Sequence, residues 1–329
     1  MGIKNIKKKA LVTGGGGFIG SRLVKTLLRT GFAVTVLDVQ PGFLKGETDP
    51  NLELIGIRSD GLRGGMADRS LVEQAVKNVD VIYHLAINWD WGAQPSALRL
   101  ADLFDVNVRG TLNLLEVAKF HGVKHFISAS SCAVYGEPES SPIDEETLCK
   151  PELSPTHLSA YGIMKLTTEK LCLMYYHHYG IPVTTFRIEV VFSDDESLLS
   201  ALSREYIDKI IRNENIGVLD DEGCASIHVD EVVDAFLLAT LNNKAYGHVF
   251  NVSNPATYIT HGELYEFIIQ LTGSKSKIEV IPSGRRISCM PESIEKIQRI
   301  LGWKPQKTKE DLKKAVAETV KSIISYYKA

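Results

Sequence analysis

The sequence lacks long apolar runs and an excess of either charge. No stretch approaches the ~18 consecutive apolar residues that a membrane-spanning helix needs, so we expect no membrane partner. Its 37 lysines and arginines nearly balance its 40 aspartates and glutamates, for a net charge of -3. This balance gives no reason to expect nucleic acid as a partner. The lysine-rich residues 4–9 have no apolar segment beside them, so we expect no secretion signal and a cytoplasmic location.

Cysteine is scarce as well. The five cysteines are scattered, odd in number and free of Cys-x-x-Cys spacing, and the nine histidines show no ligand spacing either. These patterns predict reduced thiols, with neither a disulfide framework nor a metal site.

Glycine, in contrast, is concentrated near the start of the chain. Four glycines, Gly14 to Gly17, follow a short apolar run at residues 10–13 and precede a helix-like segment. With Gly20 they fit the spacing Gly15-x-Gly17-x-x-Gly20 and also Gly14-x-x-Gly17-x-x-Gly20. Glycines so placed let the chain turn tightly, let backbone amides approach a pyrophosphate and let the helix pack on the strand. A flexible loop has the same composition, so the motif alone leaves both interpretations open.

An acidic residue follows at the spacing that a dinucleotide site needs. The second predicted strand, residues 33–37, ends in Asp38, about 20 residues beyond the glycines. A carboxylate there accepts hydrogen bonds from the ribose hydroxyls of the adenosine half and repels a 2′-phosphate, which favours NAD over NADP. Alternatively, Asp38 only starts a turn. The residues predicted to hold this half of NAD are Gly14, Gly17, Phe18, Ile19, Gly20 and Asp38.

Strand-like and helix-like segments alternate through the first half of the chain, which is typical of a parallel sheet with helices on both faces. From Val190 onward the pattern loosens into shorter strands between helices. We therefore predict an α/β protein with a Rossmann-type, doubly wound parallel sheet that binds NAD over residues 1–188. Residues 189–329 are predicted to form mainly a smaller substrate-binding lobe, with some segments returning to the sheet.

Two residues four apart, Tyr161 and Lys165, lie in one predicted helix and so share a face. A lysine ammonium beside a phenol favours the phenolate, so we expect Lys165 to lower the pKa of Tyr161 and make it a general acid or base. Ser131, just past the carboxyl end of the fifth predicted strand, can hydrogen-bond the same substrate oxygen. Tyrosine–lysine pairs of this kind also occur by chance, and it is the glycine motif upstream together with a serine in the right interval that makes these residues a candidate catalytic set in the first domain.

A loop after the fourth predicted strand contains Trp89 and Trp91. Ligands bind at the carboxyl ends of the strands in such sheets, so the two indoles are candidates for stacking on a sugar or a base. They fit equally well a role in packing the loop against the core.

Together these features resemble the extended short-chain dehydrogenases/reductases, and within them the NAD-dependent sugar-nucleotide epimerases and dehydratases of the UDP-galactose 4-epimerase type. The resemblance covers nearly the whole chain. The segments that carry it are Thr13–Gly20, Asp38, His84–Ala86, Asn107–Thr111, Ser130–Ser131, Val134–Gly136, Tyr161–Lys165, Ile227–Asp230 and Leu301–Pro305.

The resemblance implies that Ser131, Tyr161 and Lys165 are catalytic, that Lys165 also holds the nicotinamide ribose, and that Asn107 supports the active-site helix. It further implies a homodimer in which two long helices of each subunit form a four-helix bundle. The cofactor-contacting residues that it implies beyond the glycine loop are Leu85, Ala86, Asn107, Tyr161 and Lys165.

Three positions depart from the family's pattern. Val190 stands where an asparagine usually meets the substrate, and Cys224 lies near the place of an arginine that clamps the diphosphate. Gly65 stands where an aspartate commonly touches the adenine. Arg285 and Arg286 remain candidates for holding the diphosphate.

A fourth departure concerns the reaction. The 4,6-dehydratases have an acidic pair after the catalytic serine, and this chain has Cys132 and Ala133 there. Dehydration is therefore not expected.

We interpret the chain as an NAD-dependent epimerase of a nucleotide sugar, with a transient 4-keto intermediate and return of the hydride to the opposite face. One alternative is a net dehydrogenase or reductase on a smaller hydroxyl or carbonyl compound, which the missing asparagine and arginine favour. The other is a non-catalytic NAD-binding sensor. The candidate substrate-contacting residues are Trp89, Trp91, Ser130, Ser131 and Arg286.

Overall fold

The computed structural model describes residues 7–57, 65–88, 100–138, 142–154, 158–194, 204–220, 223–283 and 291–328. Its strands are β1 (Lys9–Thr13), β2 (Ala33–Leu37), β3 (Leu52–Ile55), β4 (Val81–His84), β5 (His125–Ser131), β6 (Val183–Ile188), β7 (Val191–Phe192), β8 (Ile216–Leu219), β9 (Gly223–Cys224), β10 (Ile227–His228), β11 (His248–Val252), β12 (Ile259–Thr260) and β13 (Ile278–Ile281). Its α-helices are α1 (Phe18–Arg29), α2 (Arg69–Val76), α3 (Leu100–Phe104), α4 (Gly110–His121), α5 (Leu158–Tyr179), α6 (Arg204–Ile211), α7 (Val229–Ala239), α8 (His261–Thr272), α9 (Glu295–Leu301) and α10 (Lys309–Lys328). In the described part of the chain, no helix combines the length and the apolar character that crossing a membrane requires.

Seven strands form the main sheet, in the order β11-β6-β5-β4-β1-β2-β3. β1 pairs in parallel with both β2 and β4, and the β2–β3 and β4–β5 pairs are parallel too. Ala10, Leu11 and Val12 are fully buried, as expected for a strand covered on both faces. The predicted α/β doubly wound sheet is confirmed. The chain leaves β1 toward β3 and then returns to β4, so the carboxyl ends of β1 and β4 border the crevice where such sheets bind ligands.

The chain divides into two compact units. The first unit contains Met1–Gly136, Cys149–Arg187 and Val233–Val249. The second unit contains Glu137–Leu148, Ile188–Val232 and Phe250–Ala329. Each has its own core, because buried Leu11, Leu114 and Phe126 pack together in the first unit, and Phe192 and Val316 belong to a cluster in the second.

The structure corrects one predicted helix. The apolar pattern predicts an uninterrupted helix from about Ala97 to His121, but a π-helical turn, Asp105–Arg109, separates α3 from α4. The hydroxyl of Thr111 donates a hydrogen bond of 2.5 Å to the carbonyl of Asn107, four residues earlier. A side-chain hydroxyl that takes a helix carbonyl competes with the regular backbone bond, and apolar periodicity does not report this.

Candidate active site

The turn between β1 and α1 is built from glycines that a larger residue could not replace. Gly14 has φ +70°, and a Cβ there would lie 2.7 Å from the amide nitrogen of Ala86. A Cβ on Gly16 would lie 2.5 Å from the carbonyl oxygen of Gln40, and one on Gly20 would collide with the carbonyl oxygen of Gly14. The glycine cluster is therefore a compact turn rather than a flexible loop.

The start of α1 is open to an anion. Gly17 is the N-cap, it makes no side-chain capping bond, and the first turn contains no acidic residue. The first regular helix bond joins the amide of Ser21 to the carbonyl of Gly17, so the amides of Phe18, Ile19 and Gly20 precede it. Such amides and the positive end of the helix dipole form a phosphate site.

Asp38 lies against the same turn. One carboxylate oxygen accepts a 2.9 Å hydrogen bond from the amide of Gly16, and the other accepts from the amides of Val39 and Gln40 at 2.7 and 3.3 Å. Asp38 thus starts a turn and also lies beside the glycines, so both interpretations of this residue apply. The close-packed turn, the uncapped helix end and this carboxylate fit a dinucleotide whose adenosine ribose lies at Asp38.

The three candidate catalytic residues come together in the first unit. Ser131 is the last residue of β5, and its hydroxyl is hydrogen-bonded to the phenol of Tyr161 on α5. Lys165 lies one turn further along α5, with Nζ 5.7 Å from the centroid of the Tyr161 ring. This Nζ donates a 2.7 Å hydrogen bond to the carbonyl of Ala129 on β5. Strand β5 therefore positions both Ser131 and Lys165 relative to the phenol.

The expected lowering of the tyrosine pKa is wrong for the protein without ligands. Burial raises the pKa of Tyr161 to about 12, and the hydrogen bond from Ser131 offsets only part of this rise. Burial also lowers the pKa of Lys165 to about 8. The physical reason is desolvation, which disfavours the phenolate and the ammonium alike, while the ammonium donates to Ala129 rather than to the phenol.

Asn107 supports the segment that follows β4. Its side chain accepts a hydrogen bond from the amide of Asn88 at 2.7 Å and donates one to the carbonyl of Asn88 at 2.9 Å. It also donates to Sδ of Met164 on α5 at 3.4 Å. A cavity of about 10 Å³, the size of one water, is lined by residues that include Ala86, Asn107 and Lys165. Leu85 lies in the same segment, and its amide donates to the carbonyl of Thr13 at 3.1 Å.

Among the predicted substrate residues other than Ser131, the structure describes Ser130. Ser130 is 4% exposed, and its hydroxyl has no hydrogen-bond partner among the described residues. Trp89, Trp91, Arg285 and Arg286 lie outside the described residues. Their proposed roles remain predictions.

The residues that depart from the family's pattern lie in different structural environments. Cys224 lies in β9 and is half-buried, and Val190 is half-buried with its carbonyl bonded to the amide of Ile227 at 2.8 Å. Gly65 is buried with φ +63°. An aspartate at position 65 would need a left-handed backbone, which non-glycine residues rarely adopt.

One buried ion pair was missed by sequence reasoning. Arg187, at the end of β6, makes a bidentate contact with Glu169 on α5 at 2.7 and 3.1 Å. It also donates to the hydroxyl of Tyr135 at 3.0 Å. The spacing of Glu169, two helical turns after Tyr161, hints that it lies on the same face of the helix. Its partner comes from a distant strand and has no local signal.

Known proteins provide an independent comparison. A UDP-glucose 4-epimerase from Halalkalibacterium halodurans is 30% identical over 90% of both chains. A UDP-N-acetyl-alpha-D-glucosaminuronate decarboxylase from Bacillus cytotoxicus is 29% identical over 84% of both. An uncharacterized protein from Sinorhizobium fredii is 31% identical over 85% of this chain, which spans 64% of its length.

A solved structure and a family profile agree with these relatives. The crystal structure of a UDP-galactose 4-epimerase superimposes with a TM-score of 0.73 at 27% identity, covering 96% of this chain and 99% of that one. Residues 10–253 match the NAD dependent epimerase/dehydratase family. The match spans the glycine turn, Asp38, Ser131, Tyr161 and Lys165. The chain therefore belongs to the NAD-dependent epimerase/dehydratase family.

Proposed function

We propose that this protein is an NAD-dependent epimerase that inverts a hydroxyl-bearing carbon of a nucleotide sugar, in the manner of a 4-epimerase. The observation that carries the proposal is the hydrogen bond between Ser131 and Tyr161, with Lys165 one helical turn away. This group lies in the same unit as the glycine turn and Asp38. A sensor that only binds NAD has no use for such a set.

Each residue of the set has a distinct task. As a phenolate, the side chain of Tyr161 would take the proton of a sugar hydroxyl and later return it, while Ser131 would hydrogen-bond the same sugar oxygen. NAD supplies a hydride acceptor that can also give the hydride back, so the cofactor is unchanged after a full cycle. Because burial keeps the free phenol neutral, we propose that Lys165 and the positive charge of the oxidised cofactor lower its pKa in the filled site.

The two units divide the binding work in this proposal. The first unit binds NAD through Gly14, Gly17 and Asp38, and the second unit mainly binds the sugar nucleotide. Trp89, Trp91 and Arg286 remain proposed substrate contacts. The domain boundary near residue 188 and a cytoplasmic location belong to the same proposal.

We also propose a homodimer through a four-helix bundle formed by α4 and α5 of each subunit. Phe120, on α4, is 86% exposed, and Met174 and Tyr179, on α5, are 38% and 49% exposed. Large apolar side chains on neighbouring helices favour burial against a partner.

Two positions in the sequence favour a second candidate function. Val190 and Cys224 stand where the resemblance leads us to expect an asparagine and an arginine, and neither can hold a phosphate as those side chains do. Net oxidation or reduction of a smaller compound is therefore the alternative. Decarboxylation of a sugar acid, the activity in the name of the Bacillus cytotoxicus relative, is a further outcome to be tested.

The experiment is incubation of the purified protein and NAD with a panel of UDP-hexoses, UDP-N-acetylhexosamines and UDP-uronic acids, followed by chromatography and NADH absorbance. We expect a sugar epimer with no steady rise in NADH. A steady rise supports the dehydrogenase, and loss of a carboxylate supports the decarboxylase.

Tyr161→Phe tests the catalytic role directly. We expect turnover to fall by about 100-fold or more, because no other group at that place can move the proton, with NAD affinity and thermal stability nearly unchanged. Tyr83→Phe is the matched control, since Tyr83 is a buried tyrosine of the same unit whose hydroxyl is hydrogen-bonded to Thr240 at 2.6 Å. Equal turnover of Tyr161→Phe and the wild type would overturn the proposed role of Tyr161, and absence of turnover in both would favour the sensor.

A further inference from the structure

Three buried side chains form a hydrogen-bond chain inside the first unit. Thr13 Oγ1 lies 2.8 Å from Nδ1 of His84, and Nε2 of His84 lies 2.8 Å from Oγ1 of Thr111. Thr13 and Thr111 are fully buried, and His84 is 7% exposed. The chain joins the end of β1 and the end of β4 to the helix that follows.

The two ends of this chain determine where each proton lies. At one end the amide of Ala86 donates to Thr13 Oγ1 at 3.2 Å. At the other end Thr111 Oγ1 donates to the carbonyl of Asn107 at 2.5 Å. An amide only donates and a carbonyl only accepts, so Thr111 must accept from Nε2–H of His84. Thr13 must then donate to Nδ1. Burial lowers the pKa of His84 to about 3, which keeps this neutral form over the whole working range of pH.

At the Thr13 end of the hydrogen-bond chain, the residues that follow β4 are held against the glycine turn. The carbonyl of Thr13 accepts from the amide of Leu85 at 3.1 Å, while its side chain accepts from the next amide, that of Ala86. Gly14 follows directly, and Ala86 packs so closely on it that a Cβ would not fit. Thr13 therefore sets how Ala86 meets the turn that holds the pyrophosphate.

The Thr111 end holds the π-helical turn, Asp105–Arg109. The hydroxyl of Thr111 donates a hydrogen bond to the carbonyl oxygen of Asn107, which belongs to that turn. The side chain of Asn107 then makes two hydrogen bonds to the backbone of Asn88. The segment from Ala86 to Asn88 is thus held at one end by Thr13 and at the other by Asn107. His84 hydrogen-bonds Thr13 and Thr111 and so links these two contacts.

We propose that His84 is a positioning residue for hydride transfer, which acts through Thr13 and Thr111 to fix the Ala86–Asn88 segment beside the cofactor seat. This inference rests on the proposed function in one respect, namely that NAD occupies the glycine turn. Both ring nitrogens of His84 are engaged by the two threonines, so His84 acts on the segment through them. Its neutral imidazole accepts a hydrogen bond from Thr13 through Nδ1 and donates one to Thr111 through Nε2–H.

A second histidine offers a matched control. On the neighbouring strands, Nε2 of His125 lies 2.9 Å from Thr184 Oγ1, and Thr184 donates to the carbonyl of Ala245 at 2.8 Å. The amide of Leu241 donates to Nδ1 of His125 at 3.1 Å. The same histidine–threonine–carbonyl arrangement therefore occurs in the same unit, with partners outside the candidate active site.

The test compares Thr111→Val, Thr111→Ser and Thr184→Val. We expect Thr111→Val to weaken NAD binding and lower kcat by about 10-fold each, because Nε2–H of His84 and the carbonyl of Asn107 lose a buried hydrogen-bond partner. Thr111→Ser restores the hydroxyl and should recover both values. Thr184→Val should lose similar thermal stability but keep NAD affinity and kcat. Equal NAD affinity in Thr111→Val and Thr184→Val would overturn the inference.

Two further readouts keep the inference testable if Thr111→Val does not fold. Thr13→Val against Thr13→Ser makes the same comparison at the other end of the chain, with the same expected loss and recovery. Nitrogen NMR of the histidine rings in the wild type should show His84 neutral with its proton on Nε2. The opposite tautomer or a charged ring would contradict the inference whatever the enzyme's activity. Absence of NAD binding in the wild type would instead contradict the proposed function as well.

Discussion

Burial sets the protonation of the polar side chains nearest the candidate reaction. It raises the pKa of Tyr161 to about 12, lowers that of Lys165 to about 8 and lowers that of His84 to about 3. All three groups are thereby shifted toward their neutral forms, as desolvation requires. A phenol with so high a pKa is neutral near pH 7, so we expect proton transfer by Tyr161 to depend on a bound cofactor.

The burial of Lys165 predicts a pH-dependent stability. Its pKa falls from 10.5 in the unfolded chain to about 8 in the folded one, so between these values the unfolded state binds more protons. Stability therefore rises with pH in that window, by about 3 kcal/mol at most, and below the window this group gives it no pH dependence. Urea unfolding of the wild type and Lys165→Met at both ends of the window isolates the effect. A difference between the two proteins that does not change with pH would refute it.

Asp38 predicts the choice of dinucleotide. Asp38→Asn keeps an acceptor for the amide of Gly16 and removes the charge that repels a 2′-phosphate. We expect the preference for NAD over NADP, measured by calorimetric titration of both, to fall by about 10-fold or more. Asp49→Asn is the control, since Asp49 also caps a nearby turn, accepting from Asn51 at 2.8 Å. An unchanged preference in Asp38→Asn would show that another group selects the cofactor.

At the scale of elements, the turn from β1 to α1 depends on atoms that approach too closely for a side chain. Gly20 lies on α1 where a Cβ would meet the carbonyl oxygen of Gly14. Gly262, on α8, has only Thr260 Oγ1 within reach of a Cβ, at 3.9 Å. Two helical glycines therefore stand in opposite environments.

These environments predict opposite effects of alanine. Gly20→Ala should displace the turn, abolish measurable NAD binding and lower stability by about 1–3 kcal/mol. Gly262→Ala should stabilise the protein by about 0.5–1 kcal/mol, since alanine is the better helix former. Thermal unfolding and NAD titration of both variants check this pair. Retained NAD affinity in Gly20→Ala would contradict the assignment of the turn as the pyrophosphate seat.

The buried pair of Arg187 and Glu169 illustrates how elements are tied across the sheet. It links β6 to α5, and Tyr135, just after β5, shares the same guanidinium. The two side chains are 3% and 0% exposed. Burying such a pair is tolerated only when its hydrogen bonds are satisfied, and here the bidentate contact and the phenol oxygen satisfy them.

At the scale of the whole molecule, the proposed dimer predicts how the protein responds to charge on α4 and α5. Phe120→Glu combined with Met174→Glu should convert a dimer into a monomer, because the pair places carboxylates where the proposed bundle needs apolar contacts. Light scattering after size exclusion measures the mass. Leu271→Glu, an exposed leucine of α8, is the control. A monomeric wild type would refute the dimer, and an unchanged dimer in the double variant would place the interface elsewhere.

The sequence by itself determined the doubly wound sheet and the glycine turn, and it predicted Ser131, Tyr161 and Lys165 as one group, which the structure brings together. These features are carried by local patterns, namely apolar runs, glycine spacing and a pair of residues one helical turn apart. The final helix α10 is a similar case, since Leu312 and Val316 lie four residues apart, share one helix face and are both buried.

Only the tertiary structure decided the pKa directions of Tyr161 and Lys165, the π-helical turn at residues 105–109 and the path of hydrogen bonds through His84. Each of these depends on groups from distant parts of the chain, such as the hydrogen bond between Thr13 on β1 and His84 on the neighbouring strand β4. Desolvation likewise depends on everything packed around a group and not on its sequence neighbours. Local pattern can place a residue on a helix face, but the strands packed against that face set its charge and its partners.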